Sequence, residues 1–506
     1  MSVPWLVLAL LLGVSAPFLW KPPHIDDTNF LVLAEGAARD PWRPHAISIN
    51  WQGATERAFD VLSNPPGIGW YLAPVAGGPD WLLHLWMWAW LPLAVWGAAR
   101  LGRTLAGRPA LAALLLVGSP IGVLATQALT PDLPLLACTL AGAGGLLSAR
   151  PGRRWPWALL MGAAALFRYS GLALIPLAAA WPALHRDLRG SVRCGLAAAL
   201  PIGLLALHDL HAYGEVHLLA MVGFQGAADT ARDTGRKLAA AVAMLGGAAA
   251  LPLLAAARPQ PATIGALLGA LLGGGAAWAS GHSGGAALGT VAFCAAGGAS
   301  IAAGLSRQDR AAVWCTLWLL GGLAFLLRLR FTAARYWLPF FAPAVLVPLR
   351  HAPPRLAAGA AAATLGLSVL LAVDDLELAR AQRTLAAAIV ADADGAAGWF
   401  AGHWGWQHHL SAAGWQPLEE DTPLPPAVLL ATAHASWPQE PGPGCRAPLG
   451  EHVVPDAWPG PRVHTAEGAA NIHAFLVAGA PPVETYAPWG FGHDPHDRAT
   501  LEHGCQ

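Results

Sequence analysis

Lys21-Pro-Pro-His-Ile-Asp-Asp-Thr-Asn-Phe30, continued by Leu31-Val-Leu-Ala-Glu-Gly-Ala-Ala-Arg-Asp-Pro-Trp42, is the stretch on which the reading of the whole chain turns. It follows directly on the apolar run Val3 to Trp20, so Asp26 and Asp27 stand at a membrane surface. Carboxylates are costly at that depth, and a pair of them marks more than an ordinary connection between membrane helices. Beyond the pair, Phe30, Leu31, Leu33, Ala34, Ala37 and Ala38 recur at helical spacing until Asp40-Pro41 stops them. The spacing predicts a short amphipathic helix lying along the bilayer with the carboxylates at its start. The loop closes on Ser63-Asn-Pro-Pro-Gly-Ile-Gly-Trp-Tyr-Leu-Ala-Pro74.

Composition sets the environment. Of 506 residues 55% are hydrophobic and only 12% charged, whereas soluble domains carry about 25% charge. The chain therefore reads as an α-helical polytopic membrane protein. Acids and bases balance at 30 each, with no basic stripe, which argues against a nucleic-acid partner. Scarce lysine beside abundant Ala, Gly, Pro, Trp and Arg suits a GC-rich bacterial genome, and with it an inner membrane. The first apolar run lacks a basic flank, so it is expected to stay as an anchor.

Taking about 20 residues as the length that crosses hydrocarbon, the apolar runs number about 13. They include Leu111 to Gln127, Leu133 to Leu147, Trp155 to Phe167, Gly171 to Leu184, Leu238 to Ala257 and Leu356 to Val373, with a polar stretch from His208 to Lys237. Alternate loops separate by charge. One set holds Arg100 to Arg108, Arg150 to Arg154, Arg186 to Arg193, Arg258, Arg307, Arg310, Arg350 and Arg355, and is cytoplasmic by the positive-inside rule. The other holds the Asp26 loop, Asp132, Arg168 and Arg328 to Arg335, and faces outward with the tail.

Hydropathy falls at Asp374, so residues 1–373 are expected to form the membrane domain, with 21–79 its first external loop, and 374–506 a small soluble α/β domain. In the tail, Leu376 to Ala391 reads as an amphipathic helix, and Ala427 to Ala433 and Ile472 to Val477 as strands. His403, His408 and His409 lack a closed ligand set, so Trp404 and Trp406 point to packing or carbohydrate stacking instead. Cys138, Cys194, Cys294 and Cys315 lie in apolar sequence and read as small core residues. Cys445 and Cys505 are the tail's only cysteines and suggest a disulfide in an oxidising compartment.

The paired acids, the Arg39-Asp40-Pro41-Trp42 turn and Asn64-Pro65-Pro66 with Trp70-Tyr71 resemble, in order and spacing, the first external loop of the C-type glycosyltransferases of family 39. That family includes protein O-mannosyltransferases and lipid A aminoarabinose transferases. Arg335-Tyr336-Trp-Leu-Pro-Phe-Phe-Ala-Pro343 resembles their late Arg-Tyr-x-x-Pro-x-x-Pro run, and Asp132 stands where members carry an acid. The resemblance implies a GT-C bundle that moves sugar from a polyprenyl phosphate to a lipid, glycan or protein acceptor.

Such chemistry needs a base for the acceptor hydroxyl and cations for the leaving phosphate. Asp26 is the candidate base and Asp27 its orienting neighbour, or the reverse; the plainer alternative is that both cap the helix. Arg335, or Arg168 with Tyr169, is placed to grip phosphate, unless these residues only snorkel to headgroups. Tyr336, Asn64 and Asp132 complete the substrate-binding candidates, Asp132 for the acceptor or a divalent cation; no other cofactor is implied. A transporter of a lipid-linked or small polar substrate is the alternative, but charges mid-span and matched broken helices are its expected marks. Here the charges gather at external helix ends.

Overall fold

The computed structural model describes residues 3–51, 53–226, 231–248, 251–329, 331–456, 458–476 and 486–505. The first apolar run forms the helix Val3–Ser15, which tightens into a 3₁₀ turn over Ala16–Phe18 and delivers Lys21 to the buried side. The expected amphipathic helix follows as Asp27–Arg39, closed by Asp40. Its first turn does not face water: Asp27, Thr28 and Asn29 are buried, and Thr28 donates to the Trp404 carbonyl of the tail at 2.7 Å.

The apolar runs are helical, but their lengths are uneven. Among the described residues, Asp80–Leu105, Leu188–Tyr213, Pro259–Ala279, Gly284–Gly304 and Pro354–Asp392 are each long and apolar enough to cross a membrane. The run Leu111 to Gln127, read as one span, is broken: Pro109–Val117 and Pro120–Thr126 meet at 69°. Pro120 cannot donate a helical hydrogen bond, and Ser119 caps the second piece by accepting the Gly122 N–H at 3.1 Å. Among the described residues, five helices are long and apolar enough to cross, or six if the bent pair is one span; the other apolar helices, such as Asp132–Ser148 and Arg310–Leu326, are shorter. Most of the polar stretch from His208 is also helical, as the end of Leu188–Tyr213, His217–Gly226 and the start of Ala231–Ala248. Residues 227–230 and 249–250 of these readings lie outside the described residues.

Hydropathy places a boundary at residues 373/374, yet one helix of 39 residues, Pro354–Asp392, runs through it. The helix expected at Leu376 to Ala391 is its C-terminal half. Leu385 and Ile389 enter the tail's core beside Phe400, Trp406, Trp415 and Leu501. That core lies on a five-stranded sheet in the spatial order Gln416–Pro417, Trp399–Ala401, Leu429–Ala433, Asp497–Gly504, Arg446–Val454. The strand expected at Ala427 to Ala433 is Leu429–Ala433. The one expected at Ile472 to Val477 is Phe475–Leu476, with Val477 outside the described residues, and it pairs antiparallel with Phe331–Thr332 of the membrane part. Cys445 and Cys505 form a disulfide with Cα atoms 5.1 Å apart, and the other four cysteines are buried and free.

Candidate functional site

Adjacent carboxylates at the start of the Asp27–Arg39 helix have opposite surroundings. Asp26 occupies the N-cap position without making a side-chain cap and instead pairs with the guanidinium of Arg335. Its side chain keeps 22% of its surface exposed. Asp27 is buried: Oδ1 accepts the Leu129 N–H at 2.7 Å, and Oδ2 lies 3.6 Å from Nδ1 of His24. Burial pushes the Asp27 pKa up, but nearby His24, with Lys21, holds it below the usual carboxylate value. For His24 itself, burial and Lys21 push downward and are outweighed by Asp375 and Asp27, so its pKa is raised.

Arg335 sits in a 3₁₀ turn, Ala334–Trp337, whose first N–H reaches the Ile472 carbonyl of the tail at 3.3 Å. The next ring, Tyr336, has two guanidiniums beside it: Cζ of Arg168 is 4.7 Å from its centroid and Cζ of Arg335 is 5.8 Å away. Arg168 in turn donates to Asp132 Oδ1 at 2.6 Å and to Asn64 Oδ1 at 3.4 Å. Seven of the eight residues singled out from sequence are thus linked or adjacent: Asn64–Arg168–Asp132 and Asp26–Arg335 both reach the Tyr336 ring, with Asp27 next to Asp26. Tyr169 is turned elsewhere. His217 Nε2 donates to the Leu62 carbonyl at 3.0 Å, leaving Nδ1 to accept the Tyr169 hydroxyl at 2.7 Å.

The Pro-Pro element reaches Arg168 because Gly67 allows contact; a Cβ there would lie 2.2 Å from the Leu166 carbonyl. Beside it an apolar groove of about 580 Å³ is lined by Pro41, Trp42, Trp70, Leu159, Leu166, Leu200 and Leu204. In the tail, His403 and His409 are pushed down to about 4 and about 3 by burial, yet the three histidines are not gathered. Trp404 and Trp406 are buried, 6% and 0% exposed, so they pack.

Sequence reasoning missed Lys21, His24, Asp375 and His473. Asp375 accepts Lys21 at Oδ2, and His24 and His473 at Oδ1 at 2.9 and 2.8 Å. Its neighbour Asp374 accepts the Val463 N–H at 2.7 Å and His496 Nε2 at 3.0 Å, beside buried Arg462. The adjacent acids at the fall in hydropathy were the available signal for Asp375; His473 had none. Between His24, Asp27, Asp132, Arg335, Asp375 and His473 lies a cavity of about 30 Å³, room for about two waters.

These features define a polytopic helical membrane protein whose loop acids and arginines converge where its C-terminal tail docks. No family model matches the chain, and no curated protein matches it. Among solved structures it is similar to ArnT from Cupriavidus metallidurans bound to undecaprenyl phosphate, at 15% identity and TM-score 0.43, over 86% of this chain and 94% of that one. The apo state of the same protein gives 17% identity and TM-score 0.38 over 80% and 84%. The arabinofuranosyltransferase AftD from Mycobacteria gives 15% identity and TM-score 0.43 over 100% of this chain and 40% of that one. All TM-scores are below 0.5, which leaves the chemistry to be read from this chain's own residues.

Proposed function

We propose that the chain is a membrane glycosyltransferase that moves a sugar from a polyprenyl phosphate to a hydroxyl of a lipid, glycan or protein acceptor, on the outer face of a bacterial cytoplasmic membrane. The observation that carries this reading is the Asp26–Arg335 pair, a carboxylate still open to solvent held by a cation beside a bilayer. Residues 1–373 would be the transferase domain, with 21–79 its catalytic loop, and 374–506 the outward domain that shares the long helix.

In this reading the acceptor oxygen attacks the anomeric carbon as the bond from that carbon to the phosphate oxygen breaks. The electron pair leaves with the polyprenyl phosphate, whose charge Arg335 takes, and the hydroxyl proton passes to Asp26. Donor phosphate competes with Asp26 for Arg335, so donor binding frees the base. Asp26 is preferred to Asp27, whose oxygens are already committed to Leu129 and His24. Arg168, oriented by Asp132 and Asn64 and stacked on Tyr336, is the second cation facing the leaving group. The apolar groove lined by Trp42 and Trp70 suits the isoprenoid chain, beginning at Leu166, two residues from Arg168. A cavity of about 30 Å³ cannot hold a sugar, so donor entry requires side chains or the Ile472–His473 segment to shift.

Purified protein should transfer label from a polyprenyl-phosphate sugar. Asp26→Asn should lower transfer by about 10²-fold or more with donor binding kept, and Arg335→Ala should weaken donor binding by about 1.5–3 kcal/mol. Normal turnover in a folded Asp26→Asn protein would remove Asp26 as the base. Labelled donor crossing the bilayer without covalent transfer would favour the transporter.

A further inference from the structure

The Asp375 carboxylate gathers side chains from distant parts of the sequence in a way that the sugar-transfer scheme does not use. Nε2 of His24, Nε2 of His473 and Oδ1 of Asp375 lie within 4.8 Å of one another. Asp375 is 1% exposed, His24 2%, and the His473 side chain 11%. Each group already has the orientation of a ligand. Lys21 holds Oδ2 of Asp375, which leaves Oδ1 as a single donor oxygen. The other nitrogen of His24, Nδ1, is buried without a hydrogen-bond partner, and its nearest acceptor is Oδ2 of Asp27 at 3.6 Å. Metal-ligating imidazoles are commonly held this way, one nitrogen toward a carboxylate and the other toward the ion.

We propose that His24, Asp375 and His473 bind a divalent first-row transition metal of the zinc class. Two imidazole nitrogens and one carboxylate oxygen suit Zn²⁺ or Co²⁺, whereas Mg²⁺ and Ca²⁺ take oxygen ligands. Asp375 and Asp27 oppose the Lys21 charge, leaving one net negative charge to meet the dication, while nearby Arg335 is paired with Asp26. A fourth position opens on the cavity of about 30 Å³ that these groups line, enough for a water. Bound there, the ion fastens the first external loop, the long helix and the tail to one another. The assignment is independent of the transferase reading.

The test uses the full-length protein in detergent, stripped with a chelator and dialysed. Titration with Co²⁺, followed by its visible absorption, and with Zn²⁺, followed by equilibrium dialysis and metal analysis, should each give one equivalent per chain. His24→Gln and His473→Gln should each weaken uptake by at least about a hundredfold. Zn²⁺ should raise the thermal midpoint of the wild type, and of neither variant. Asp375→Asn risks misfolding because Lys21 would lose its partner; His473→Gln changes a residue at the tail's edge and decides the matter alone. No stoichiometric uptake by the wild type, undiminished uptake by folded His473→Gln, or displacement of Co²⁺ by equimolar Mg²⁺ would overturn the site.

Discussion

Asp26 and Asp27 are identical in type and adjacent, yet one meets a cation at the rim and the other is buried against Leu129 and His24. A helix turns its side chains by about 100° per residue, so neighbours at its first turn face different partners. Asp374 and Asp375 divide in the same way, one toward Arg462 and His496 of the tail, the other toward Lys21 and His24 of the first loop. That these acids matter was legible from their position at the ends of apolar runs; which partner each takes was not, because Leu129 lies 102 residues from Asp27, Arg335 309 from Asp26 and Lys21 354 from Asp375. The tail has a further acid in an unusual state. Burial pushes Asp497 up to about 6 from 3.8, although Oδ1 accepts the N–H groups of Ala435 at 2.9 Å and Arg498 at 2.7 Å. Between those values the folded tail keeps a proton that the unfolded chain has released, so stability is greatest below about 4, falls as pH rises to about 6, and is level above it. Asp497→Asn should remove that loss, of up to about 3 kcal/mol, making the tail more stable at pH 7 and nearly unchanged at pH 4. Hydrogen exchange of the Asp497–Gly504 strand in both proteins at the two pH values checks this.

At the level of elements, the amphipathic helix of the first loop was readable because apolar spacing and the Asp40-Pro41 stop agree with the packing that tail and bundle provide. The break at Ser119-Pro120 was hidden inside a uniformly apolar run, and the continuity of Pro354–Asp392 was hidden by a change of surroundings, from lipid to protein, that looks like a change of domain. Small residues explain another pairing. Gly265, Gly269 and Gly273 recur every four residues on the Pro259–Ala279 helix, and each lies against the backbone of Gly284–Gly304; a Cβ on Gly269 would be 2.1 Å from the Cys294 carbonyl. Close approach of this kind is a main source of helix association in lipid. Gly269→Leu should therefore lower stability in detergent by about 1–3 kcal/mol. Gly274→Leu, on the same helix with no atom within 4 Å of its added Cβ, should leave it unchanged. Thermal unfolding of both variants distinguishes seam packing from helix propensity.

Across the whole molecule, the arginine asymmetry predicts an outward tail, and the first loop docks on that tail: the Asn50 amide donates to the Leu418 carbonyl at 3.1 Å, and the Glu420 N–H to the Gly53 carbonyl at 2.7 Å. A reporter active only in the cytoplasm, fused after Gln506 of the full chain, should give no signal; strong signal would put the acids on the wrong side for an external donor.

The pairing of Phe475–Leu476 with Phe331–Thr332, just ahead of Arg335, also has a consequence for how the molecule comes into being. A ribosome finishes the helices from Asp80–Leu105 to Pro354–Asp392 before it reaches His473, and at that stage Asp26 and Arg335 are both present while the backbone that braces the arginine's turn has yet to be made. Assembly of the centre therefore follows the synthesis of these helices. Until the tail folds back onto the bundle, a newly inserted copy holds its charged groups without the arrangement that would let them work together.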